Sequence, residues 1–182
     1  MKWTIPGTVL QIQREDAEHI EDIFDSMFLA GGIVLSQVAS VTGLEPYTIQ
    51  NWVKRGFLPA PENRRYTQKQ LCRIIQINML KSALSLETIC SLLEYINGKL
   101  DDTADDIIDD AQLYFLFVKL AARAKQMEDA AAWEKALETL LADYAEPMPG
   151  ARVRIEKTLR IMVTAWIAAR TRQAAEALIA EL

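Results

Sequence analysis

Between positions 47 and 55 the chain places Tyr47, Thr48, Gln50, Asn51, Lys54 and Arg55. A carboxamide offers a donor and an acceptor side by side, the pattern that bonds adenine bidentately in the major groove of DNA. A Lys or Arg beside it can hold a phosphate and fix register without reading a base. Interleaved with these residues are Ile49, Trp52 and Val53, spaced for the opposite face of one helix. The same arrangement is also an ordinary solvated face of an amphipathic helix, so the surroundings have to decide between the two. A second cluster follows, Arg64, Arg65 and Tyr66, in a stretch broken by Pro59 and Pro61, and Lys69 comes shortly after it.

Other chemistries find little material. His19 is the single histidine and lies in a charged helical face, which excludes histidine metal clusters and histidine relays. No nucleophile elbow, dinucleotide fingerprint or phosphate-binding loop occurs. Cys72 and Cys90 form no C-x-x-C pair and read as reduced structural thiols. The run Asp101, Asp102, Asp105, Asp106, Asp109 and Asp110 raises a cation site, but it lacks the glycine and terminal glutamate of a calcium loop. It reads as an acidic helix start on a solvated face, favoured by the helix dipole. The expectation is a protein with no enzymatic activity, cofactor or metal.

The elements that must position these residues are helical almost throughout. Residues 15–29 read as one helix, with Ile20, Ile23, Phe24 and Met27 on one stripe, stopped by Gly31 and Gly32. Ser36 is expected to cap a short helix ended by Gly43. Leu44-Glu45-Pro46 opens a second, with proline in the first turn where its missing N–H costs nothing, and Gly56 ends it. Two short helices joined through a glycine turn are the helix-turn-helix pattern. Thr67 with Gln70 spells a capping box for the next helix, and Ser85 caps one carrying Leu86, Ile89, Leu92, Leu93 and Ile96. Beyond residue 99 three more helical stretches are expected, at about 104–127, 129–145 and 151–181, the last two separated by Glu146-Pro147-Met148-Pro149-Gly150. Their stripes, including Tyr114, Phe115, Val118, Val153, Leu159, Met162 and Trp166, read as core. No strand-rich region is expected.

Length and charge sharpen this. With 182 residues the chain has room for one domain or two small ones, at roughly 100–200 residues each. Its net charge of −5 argues at first against a nucleic-acid partner. Resolved along the chain, residues 33–81 hold seven bases against two acids, a local +5, and the remainder carries −10. Polyanions respond to the local field of the docking face, because each phosphate contact releases counterions. No apolar leader opens the chain, and the most apolar window, residues 161–169, is far short of the roughly 20 residues a membrane span needs. The expected location is cytoplasmic.

The segments Leu35-Ser36-Gln37-Val38-Ala39, Thr42-Gly43-Leu44, Gly56-Phe57-Leu58-Pro59, Arg65-Tyr66 and Ser85-Leu86-Glu87-Thr88-Ile89 resemble, in order and spacing, the MerR-type winged helix-turn-helix. Asn51-Trp52-Val53-Lys54 and Leu80-Lys81-Ser82-Ala83-Leu84-Ser85-Leu86 look closer still to an uncharacterised bacterial domain of unknown function considered MerR-like. The resemblance covers about residues 33–98. It implies an all-α fold with a small wing, the second helix docked in the major groove and the wing on flanking backbone. Arg65 and Tyr66 match the wing positions that touch phosphates.

The resulting expectation has a helical arm at 1–30, a MerR-like winged helix-turn-helix at 31–98, and a helical C-terminal domain at 99–182. The recognition helix spans about 46–55 and the wing 57–66. The function expected is a sequence-specific DNA-binding transcriptional regulator that contacts double-stranded DNA through Tyr47, Thr48, Gln50, Asn51, Lys54, Arg55, Arg64, Arg65, Tyr66 and Lys69. It is expected to act as a homodimer, with room for a small-molecule effector in the C-terminal domain. The rival expectation is a protein–protein adaptor that reuses the fold without binding DNA.

Overall fold

The computed structural model describes residues 1–98, 106–124 and 130–182. The chain opens with a short antiparallel hairpin, β1 (Lys2–Thr4) and β2 (Gln11–Gln13), in which Trp3 opposes Ile12. Sequence reading expects no such element. Its signal is an alternation of apolar and polar residues around Pro6-Gly7. The expected helix at 15–29 is divided: a 3-10 turn, Arg14–His19, leads into α1 (Ile20–Met27), which buries Ile20 and Phe24.

Next come β3 (Ile33–Val34), α2 (Leu35–Thr42), α3 (Pro46–Lys54) and β4 (Arg65–Tyr66), with β3 antiparallel to β4. α2 starts one residue earlier than its expected cap. Ser36 lies inside the first turn, and the entry is secured by the Val34 N–H, which donates to the Gln37 side chain at 2.9 Å. Gly43 ends α2 with φ +69°, a left-handed turn that also brings its backbone against Val9: a Cβ there would meet Val9 Cγ1 at 2.8 Å. α3 then starts with Pro46 in its first turn. α4 (Gln68–Leu80) carries the expected capping box, Thr67 with Gln70, and α5 (Leu86–Asn97) is capped by Ser85. α6 (Asp110–Arg123), α7 (Ala130–Leu140) and α8 (Ala151–Ala180) complete the described chain.

One buried cluster runs through all three segments, from Trp3 and Phe24 through Ile49, Trp52 and Leu71 to Tyr114, Leu159 and Trp166. α4 and α6 form its centre. Polar contacts hold the N-terminal arm to α6: Lys119 pairs with Glu21 at 2.6 Å, Arg123 grips Glu18 through two bonds, and the Tyr114 hydroxyl donates to the Pro6 carbonyl. The expected core stripe of α6 is buried throughout, and that of α8 is buried at Leu159, Met162, Ala165, Trp166 and Ala169. Val153 is the exception, on the exposed side of α8. The last three turns of α8, beyond Ala169, are exposed at every residue. Among the described residues no helix is long and apolar enough to cross a membrane.

Candidate nucleic-acid interface

α3 divides its residues as an amphipathic helix must. Ile49 and Trp52 are buried and Val53 half-buried, while Tyr47, Gln50, Lys54 and Arg55 are exposed and Thr48 and Asn51 lie at the margin. Tyr47 is 76% exposed. Trp52 anchors the helix at 4% exposure, and the Phe57 N–H donates to its carbonyl at 2.9 Å, which closes the helix before the loop.

The loop folds back as a tight hairpin. Asn63 and Arg64 hold φ of +48° and +62°, and the Arg65 N–H donates to the Glu62 carbonyl at 2.8 Å. Two consecutive positive φ values mark a type I′ turn. Asparagine tolerates that conformation, whereas arginine stands where glycine is usual. The turn lifts Arg64 and Arg65 to the surface, and both are exposed. The Arg65 guanidinium donates to the Gly32 carbonyl at 2.6 Å, which fixes its direction. Gly32 is needed there, because a Cβ would meet the Tyr66 carbonyl oxygen at 2.9 Å. α3 and the hairpin meet across a cavity of about 350 Å³ lined by Leu35, Gln50, Val53, Pro61, Arg64 and Tyr66.

Several expected contact residues have other commitments. Tyr66 is 3% exposed, paired with Ile33 in the β3–β4 ladder, and its ring belongs to the core. Burial raises its hydroxyl above the ordinary tyrosine range. The Lys69 ammonium is bonded to Asp106. Arg55 remains exposed, but it pairs with Glu87 at 3.2 Å and its guanidinium lies 4.5 Å from the centre of the Phe57 ring. Lys54, Arg64 and Arg65 have no carboxylate partner among the described residues.

The acidic run behaves differently from a solvated face. Asp109 caps α6, accepting from the Gln112 N–H at 2.8 Å, but Asp110 is buried. Its carboxylate faces Arg73 at 3.4 Å and accepts from Asn97 at 3.1 Å, and its carbonyl accepts from Gln76 at 2.9 Å. Burial raises the Asp110 carboxyl above its ordinary value, and the Arg73 charge opposes that shift. Arg73 also donates through Nε to the Phe57 carbonyl, immediately after α3. α6 is therefore bonded, through one buried guanidinium, to the junction of α3 and the hairpin. Asp101, Asp102 and Asp105 lie outside the described residues.

A cavity of about 1040 Å³ lies between α1, α4, α6 and residues 140–147. Ile107, Phe115 and Leu116 supply apolar lining, and Asp25, Asp106 and Asp143 are among its acids. Arg152 and Arg154, at the start of α8, are occupied by Glu156 and by the ring of Tyr95 respectively.

Fold and site thus define a mostly helical protein whose basic segment presents one polar helix beside an arginine-tipped hairpin. Residues 31–117 match the family model described as Domain of unknown function (DUF1836). The match begins at the glycine pair after α1 and extends through most of α6, the helix that packs most extensively on α4. No curated protein and no solved structure matches the chain.

Proposed function

We propose that the chain is a sequence-specific DNA-binding transcriptional regulator of the winged helix-turn-helix type, without enzymatic activity. In this reading α2 and α3 are the two helices, α3 enters the major groove, and the hairpin at Glu62–Arg65 is the wing. One observation carries it: Gln50 of α3 and Arg64 of the hairpin line the same cavity, so an amide that can read a base and a cation that can hold a phosphate share one surface. Two copies would read two half-sites, as such folds commonly do. The cavity between α1 and α6 would suit a small-molecule effector.

Electrophoretic mobility shift on sheared genomic DNA across a salt series, followed by selection from a random pool, tests the proposal. Steep salt-dependent binding and a recovered site sequence are expected. Folded Gln50→Ala, Asn51→Ala and Arg65→Ala variants that bind like the wild type would overturn the interface. The adaptor reading is favoured by a single feature, the exposed ring of Tyr47, since tyrosines anchor protein interfaces well. An adaptor would show no salt-dependent shift with any DNA.

A further inference from the structure

A polar cavity of about 280 Å³ lies on three elements that the DNA reading does not use together. Its walls include Gly7 and Thr8 of the β1–β2 connection, Lys81 and Ser82 after α4, and Arg170 and Gln173 of α8. No carboxylate lines it. Neither Lys81 nor Arg170 has a carboxylate partner among the described residues. The protein is acidic overall, and here two cations without carboxylate partners share one wall that no acid lines.

The walls are held in place. Gly7, at φ +78°, lies so close to α4 that a Cβ would meet the Ile75 carbonyl oxygen at 2.5 Å. The Asn78 amide donates to both the Gly7 and Thr42 carbonyls, at 2.9 and 3.0 Å. The Arg170 guanidinium is 4.9 Å from the centre of the Trp166 ring, and the Lys81 ammonium is 5.7 Å from that of Trp52. A cation set against an aromatic face is positioned without being neutralised. Burial lowers the Lys81 ammonium below its ordinary value, which an approaching anion would reverse.

We propose that this cavity binds a small phosphate-bearing anion between Lys81 and Arg170. Arginine supplies a planar fork suited to two phosphate oxygens and lysine a compact charge. The Ser82 hydroxyl and the Gln173 amide are further donors on the same wall. The volume lies just below the roughly 300–1,000 Å³ usual for ligand pockets, which points to a group of pyrophosphate or sugar-phosphate size. Since Lys81 also faces Trp52, the anion would draw on a cation that sits against the anchor of α3.

The test is calorimetric titration of the full chain with inorganic pyrophosphate, at an ionic strength held constant with sodium chloride. Saturable one-site binding is expected, weakened about tenfold by Lys81→Gln and by Arg170→Gln. The control Lys135→Gln, at an exposed lysine of α7, should bind as the wild type does. Circular dichroism checks that each variant is folded. Absence of saturable heat, or equal binding by all variants, overturns the proposal. So does a result in which pyrophosphate gives no heat while Lys81→Gln flattens the salt dependence of DNA binding, because the cation then serves the DNA backbone.

Discussion

Arg64 occupies a backbone conformation that an L side chain adopts only at a cost, at the tip of the hairpin beside α3. A left-handed residue other than glycine costs about 1–2 kcal/mol, and strain of this kind collects at working surfaces. Arg64→Gly is expected to stabilise the fold by up to about 1 kcal/mol in urea denaturation. The same change should weaken DNA binding and lower its salt slope by about 1. A variant that gains stability with DNA binding unchanged would remove Arg64 from the interface. Arg73 is the opposite case, a cation that is 3% exposed and bonded to Asp110 and to the Phe57 carbonyl. Arg73→Ala should cost about 3–5 kcal/mol, because it leaves the Asp110 carboxylate buried and unpaired.

α3 is seated by a single large side chain and by the glycine turn before it. Trp52→Ala is expected to cost roughly 3–5 kcal/mol in chemical denaturation, the range for a truncated core aromatic. Within the same helix, Gln50→Ala and Asn51→Ala should shift sequence preference in a selection experiment more than they shift the salt slope, since amides carry no charge to exchange for counterions. At this scale the sequence was easy to read where the signal is local. Pro46 in a first turn, Gly43 after a helix, the Thr67–Gln70 box and the Ser85 cap are set by residues within four positions of each other. The division of residues 14–27 into a 3-10 turn and α1 was not legible, and in the fold Glu18 and Glu21 of this stretch meet Arg123 and Lys119 of a distant helix. Nor was the burial of Tyr66, which follows from pairing with Ile33 across the chain.

Across the whole molecule, charge is redistributed by folding. Of the seven bases in residues 33–81, Arg55, Lys69 and Arg73 meet Glu87, Asp106 and Asp110. Two of those acids belong to the Asp-rich run, so that run partly neutralises the basic segment. Lys54, Arg64 and Arg65 are left for phosphate on the α3 side. Each phosphate neutralised contributes about −0.9 to the slope of log K against log salt, so the slope should be about −3 per protomer. A slope of about −4.5 per protomer would mean that Arg55 and Lys69 open their pairs to bind DNA as well. Glu87→Gln, which frees Arg55, should steepen the slope by about 1 and tighten binding in the same titration.

The helical class, the positions of α2 to α5, the outward Gln50 of α3 and the basic character of its neighbourhood could be read from the residues alone. These follow from spacing, capping and turn residues, which act over a few positions and need no distant partner. Folding set which cations are free, buried Asp110 against Arg73, placed Tyr66 in the core and brought Lys81 and Arg170 onto one wall. Each depends on residues that folding brings together from 32 or more positions apart. The burial and pairing of a charge are properties of the packed chain, because an ionic contact is fixed by distance in space and by solvent access.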